Sequence, residues 1–207
     1  MTLRILGAGG HAKVAMEAWR SSGGTVSGVY DDDAALHGRN LLGLEISGPL
    51  RVGVSSGDLL HIAIGDSRVR EQIASTIPDD RFPTVAHAGA YVSPTATLAP
   101  GILVCAGAVV QAEATIGRHV IVNSLALVEH DVTVGDFAHV GPGSRLGGGV
   151  QIGVGVLIGI GAVVLPGLAI GDRAVIGAGA VVIGDVSAAA VLVGNPARPV
   201  DGRTPMA

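Results

Sequence analysis

His130 and Asp131 stand side by side in Val128-Glu129-His130-Asp131, and His139 follows nine residues later. An imidazole titrates near neutral pH, so it can take a proton from an attacking nucleophile. An acidic neighbour orients the ring and raises its basicity. His130, flanked by Glu129 and Asp131, is therefore the candidate base. His37, His61, His87 and His119 have no metal-ligand spacing, and no metal is expected. Cys105 is the single thiol, with no histidine close in sequence, and reads as an inert small residue. A Gly-x-Ser-x-Gly elbow is absent, which argues against a serine acyl-enzyme.

A second constellation lies at the N-terminus. Gly7-Ala8-Gly9-Gly10-His11-Ala12 fits Gly-x-Gly-x-x-Ala between a strand and a helix. Asp31 and Asp32 fall at the end of the next strand, where a ribose-binding acid belongs. The helix N-terminus can hold a diphosphate. About 80 residues make only half of a full dinucleotide fold, which favours a nucleoside-diphosphate ligand over NAD. A plain strand–helix turn is the alternative.

The elements that position these groups fall into two regimes. From residue 1 to about 82, strands at Leu3–Leu6, Thr25–Tyr30 and His61–Ile64 alternate with helices over His11–Ser21 and about 68–76. That order implies a Rossmann-like parallel α/β domain with right-handed crossovers. From 83 to 187 the period becomes six. Ile, Leu or Val recurs at 16 consecutive positions from Val92 to Val182, and a smaller residue recurs four positions on, from Ala96 to Val186. Glycine often follows the aliphatic residue, at 117, 135, 141 and 147 among others, and is expected where the chain turns tightly.

Period six fits neither a helix nor an amphipathic strand; it fits a left-handed parallel β-helix of hexapeptide repeats. Three hexads per coil give a prism of a little over five coils, on the order of 25 Å tall. Both inward columns are fixed by the phase, so His130 points outward, between Ala112 below and Gly148 above, one coil away on either side. His139 stacks between Ile121 and Leu157. No loop breaks the phase to cover a site; the N-terminal domain and a neighbouring prism are expected to wall it. The N-terminal domain is expected to cap one end of the prism, and the tail 188–207 to leave the other.

Composition agrees with stacked small side chains: 33 glycines, 2% aromatic and 14% charged residues in 207. A net charge of −4 with one lysine, Lys13, argues against nucleic acid. Mean hydropathy is +0.55, yet no uninterrupted apolar run is long enough to span a membrane. The segment Met1–His11 has no signal-peptide character, so a cytoplasmic location is expected.

Taken with GAGGH at 7–11, YDDD at 30–33, IAIGDSRVR at 62–70, VNSLALVEHDVTVGDFAHVGPGSRLGG at 122–148 and VGNPAR at 193–198, the chain resembles the NeuD/PglD-type sugar acetyltransferases over nearly its whole length. The resemblance implies an acetyl-CoA-dependent N-acetyltransferase acting on a nucleotide-linked amino sugar, a 4-amino-4,6-dideoxy sugar by preference, without a metal. O-acetylation of sialic acid or another sugar is the alternative, and a structural scaffold or a γ-carbonic-anhydrase-like protein a third. His130 would be general base and Asp131 its partner. His139, Ile160 and Ala178 would meet acetyl-CoA. Gly9, Gly10, His11, Asp31, Asp32, Gly65 and Asn123 would meet the acceptor. A homotrimer with sites between subunits is implied.

Overall fold

A computed structural model describes residues 2–55 and 57–200. Strand β1 (Thr2–Leu6), helix α1 (Gly10–Ser21) and strand β2 (Thr25–Tyr30) open the chain. A hairpin of β3 (Asn40–Leu41) and β4 (Leu44–Glu45) follows, then the short α2 (Leu50–Val54), β5 (Leu59–Ile62) and α3 (Ser67–Ala74). The sheet is parallel, with β1 between β2 and β5. It is the expected half-Rossmann unit; the segment from 34 to 58 carried no periodic signal and forms the hairpin and short helix.

From Val85 onward two-residue strands stack into the left-handed β-helix. Three parallel sheets form its faces: the first begins with β6 (Val85–Ala86), the second with Tyr91–Val92 and the third with Thr97–Leu98. Partners on adjacent coils differ by 18 residues, as in Val110↔Val128 and Val164↔Val182. Alternate large and small residues, Val104, Ala108, Val110, Ala114 and so on, fill the axis and are fully buried. These are the two columns read from the sequence.

Glycine acts differently from the expectation. At the position after the aliphatic residue, a Cβ on Gly135 would lie 2.7 Å from Gly153 C and Val154 N of the next coil. That glycine serves close coil stacking, with ordinary φ. The left-handed residue is two positions later. It recurs every six residues from Gly101 to Gly179, and Glu113, His119, Leu125, Asp131, Phe137 and Arg173 accept it without being glycine.

The phase also ends earlier than the count of hexads implied. Val186 pairs with Ile170, 16 residues back, and so takes an aliphatic position, not the small one assigned to it. Ala189, three residues on, has φ +56°, as the corner of a re-phased hexad must. Val191–Val193 then adds to the first face, and Arg198–Pro199 returns antiparallel to it. The expected tail thus begins as a further rung; its residues 201–207 lie outside the described residues.

The N-terminal domain lies on the side of the prism instead of capping an end. The outward column of the first face reads Val85, Leu103, Ile121, His139, Leu157, Val175. Its first three members are buried in one cluster with Leu3, Ile5, Ala15 and Met16. Phe82 and Phe137 join Leu6, Tyr30 and Leu60 in another. Ion pairs Arg173–Glu71 and Arg118–Asp79 close the margin. His139 is the rung where this cover ends.

Candidate active site

His130 sits at the corner between the second and third faces. Its Nδ1 donates to Asp131 Oδ2 at 2.7 Å, which leaves the Nε2 lone pair free. Asp131 reaches the ring because its backbone is left-handed, φ +59°. Both side chains are 64% exposed. The Asp131 hydrogen bond, with the charges of Asp131 and Glu129, raises the His130 pKa above the ordinary imidazole value. The ring lies over Gly148, where a Cβ would stand 2.6 Å from its Nε2 and Cε1. The groove read from Ala112 and Gly148 is present on the Gly148 side. Chemically this is a poised, accessible base.

His139 belongs to a different edge. Asn123 Oδ1 accepts from the Ser124 N–H at 2.8 Å, so its Nδ2 donates to His139 Nε2 at 3.0 Å. With Nε2 accepting, the ring proton sits on Nδ1, and the Gly65 backbone lies beside the ring. Burial, then the Arg70 guanidinium and His11, push the His139 pKa down to about 3, so the ring is neutral. His11 lies beside it, ring centroids 6.1 Å apart, itself lowered to about 4 by burial and by Arg70. Ile160 and Ala178 stack along the neighbouring corner, linked by Gly179 N–H to Ile160 O. Ile160 is exposed.

The glycine-rich loop joins the same strip. Gly7 has φ +105° and no room for a Cβ beside Ile64 and Ala63. Gly9 and Gly10 have nothing within 4 Å of a Cβ, so the chain's own packing does not call for them. Helix α1 starts there with no side-chain cap and no acid in its first turn. Asp31 braces the loop: Oδ2 accepts from Ala8 N–H at 2.7 Å and Oδ1 from Asp33 N–H at 2.9 Å. Asp32 accepts from Leu50 N–H. Both line a cleft of about 390 Å³ with Gly7, Ile64, Val69 and Gln72.

The expected residues therefore fall into two groups in one chain. His11, Gly65, Asn123 and His139 meet, with the loop, Asp31 and Asp32 on one flank and Ile160 and Ala178 on the other. His130 and Asp131 stand half a coil away, across the third face. Arg70 and His61 were not singled out from sequence. An arginine four residues past the helix cap Asp66 reads as a solvated face, yet Arg70 is 1% exposed. His61 is buried in β5 with neither ring nitrogen partnered. Among the described residues no cluster of His, Cys, Asp and Glu is placed to hold a metal ion, and no helix is long and apolar enough to cross a membrane.

The profile of the PglD N-terminal domain matches residues 2–77. No curated protein matches the chain. Among solved structures, an H-to-N variant of perosamine N-acetyltransferase from Caulobacter crescentus, in complex with CoA and GDP-perosamine, is 35% identical over 98% of both chains, with a TM-score of 0.89. The acetyltransferase domain of PglB from Neisseria gonorrhoeae, in complex with acetyl coenzyme A, is 34% identical over 96% of this chain and 98% of that one, TM-score 0.89. WeeI from Acinetobacter baumannii is 29% identical over 97% and 100%, TM-score 0.87. Identity at this level along the whole length, through both the half-Rossmann unit and the prism, places the chain in the family of NeuD/PglD-type sugar acetyltransferases.

Proposed function

We propose that the chain transfers an acetyl group from acetyl-CoA to the amine of a nucleotide-linked sugar, by preference a 4-amino-4,6-dideoxy sugar. The observation that carries this reading is the His130–Asp131 pair, with Nε2 free above a glycine. A thioester is already activated, so one base suffices. The amine nitrogen attacks the thioester carbon and His130 Nε2 takes the amine proton; the C–S bond then breaks, and His130 returns that proton to the departing sulfur, so that CoA leaves as its thiol. The open space at Gly9 and Gly10, before an uncapped helix N-terminus, suits a diphosphate. The relative with GDP-perosamine and CoA bound supports both substrates.

The site is completed by a second subunit. The third face, with its strand Thr133–Val134, separates His130 from His139 within one chain. Three prisms packed about an axis would set the base of one against the acetyl-CoA strip of the next, in a homotrimer.

Acetyl-CoA consumption with UDP-, GDP- and dTDP-linked 4-amino sugars tests the reaction. Turnover is expected with one of them and is lost in His130→Ala; wild-type turnover in that variant overturns the assignment. Mixed and reassembled subunits test the sharing. His130→Ala with a His139→Ala/Asn123→Ala variant should exceed both parents in activity; a mixture no better than its parents refutes the shared site.

A further inference from the structure

The Arg70 side chain lies inside the junction of the two domains and makes no salt bridge among the described residues. Its Nη1 donates to Gly65 O at 2.6 Å and to Ile64 O at 2.9 Å. Nη2 donates to Phe137 O at 2.5 Å, and Nε to His119 O at 3.2 Å. One guanidinium thus grips the loop after β5 and the chain just before His139. A planar fork can do this; an ammonium cannot.

The loop carbonyls it holds include Gly65, whose backbone meets the His139 ring. Asn123 holds the opposite nitrogen. We propose that Arg70 is a positioning residue for His139: by gripping the Phe137 carbonyl, two residues before it, and the Gly65 carbonyl beside it, Arg70 holds the ring where Asn123 selects the Nδ1-protonated tautomer, and keeps the domain strip in register with the prism. Burial is the main force that keeps His11, His61, His119 and His139 neutral, and the charge of Arg70 adds to it in all four, while the Gly65 backbone opposes it at His139. Asp66 is the acid that faces Arg70, and burial still brings the guanidinium down to about 10. A charged His139 would face Arg70 across the Gly65 peptide, and a flipped one would point an N–H at the Asn123 amide.

The proposal rests on the reading of His139 as part of the acetyl-CoA site only for its kinetic arm. Nitrogen-15 spectra of histidine-labelled protein, with His139→Gln to assign the ring, test the tautomer directly. The wild-type ring should carry its proton on Nδ1 and show no imidazolium down to pH 5. Arg70→Lys keeps the charge and loses the fork. It should show a mixture of tautomers and a KM for acetyl-CoA raised roughly tenfold, the fold-change of one charge-assisted hydrogen bond, with a smaller change in kcat. A wild-type ring protonated on Nε2, or a lysine variant with wild-type spectrum and KM, overturns the proposal. If Arg70→Lys fails to fold, Arg70→Gln is read in the same way, and a wild-type spectrum and KM in that variant overturn the proposal. His139→Ala with an unchanged acetyl-CoA KM would sink the acetyl-CoA reading and leave the spectrum to decide the role of Arg70.

Discussion

His130 Nδ1 meets Asp131 Oδ2 at 2.7 Å only because Asp131 occupies the left-handed corner of its hexad. A residue at the corner turns its side chain back beside its predecessor, which neighbouring residues in a strand cannot do. Asp131→Asn should therefore keep the fold and lose the charge. The His130 pKa is raised mainly by the Asp131 hydrogen bond, so the variant's base ionises at lower pH. The acid limb of the kcat/KM profile should move to lower pH while the plateau drops by about 10²-fold, within the range for general-base catalysis. An unmoved limb would separate Asp131 from the base.

Gly148 and Gly135 are the same residue type with opposite expected effects. A methyl group on Gly148 meets only the flexible imidazole of His130, whereas one on Gly135 meets the backbone of the next coil. Gly148→Ala should cost about 100-fold in kcat with little change in Tm, because a displacement of about 1 Å at the reacting group is enough. Gly135→Ala should lower stability by about 1–3 kcal/mol, the range for overpacking. Thermal melts beside steady-state rates check both.

Gly10→Ala probes the nucleotide side. The first helical position of α1 has open space for a Cβ, and alanine is the better helix former. Tm should hold or rise slightly. KM for the nucleotide sugar should rise roughly tenfold while that for acetyl-CoA stays put, if a diphosphate approaches the loop backbone closely. Equal effects on both substrates would count against a nucleotide there.

Acid should loosen the domain junction. Burial first, then the charge of Arg70 and of neighbouring rings, holds His11 and His119 at about 4 and His61 and His139 at about 3. Arg118 pushes His119 the same way, while Asp79 and Asp136 oppose. All four start from 6.5, so the unfolded chain binds more protons than the folded chain between those values. Their contribution to stability is full above pH 6.5 and is lost as pH falls toward 4 and 3. Calorimetry from pH 7.5 to 4.5 should show Tm falling most steeply below 6.5, and His61→Leu should flatten that slope. A Tm independent of pH in this window would contradict the buried neutral rings.

The prism was legible because one period of six runs without interruption, and each inward column tolerates few residue types. The Gly-rich turn and the strand from Thr25 to Tyr30 were legible for a similar reason, since local rules act within a few residues. Val186 was misplaced because two residues are missing from the last coil, and a count of hexads cannot see a re-phasing that only pairing with Ile170 reveals. Arg70 and the side-on seat of the N-terminal domain were not legible at all. Both depend on which outward residues of the first face meet which surface of α1, and contacts 49 to 68 residues apart leave no local trace.

The 18-residue pitch has a consequence for how this chain can vary. One residue added at, say, position 150 would turn the two axial side chains of every later hexad to solvent and bring outward ones into the axis. A whole coil added there would lengthen the prism by about 4.8 Å and leave each corner facing as before. Length changes within the prism are therefore quantised, and natural variants of this chain should differ in the prism by whole coils, or by shorter steps only beyond Val182.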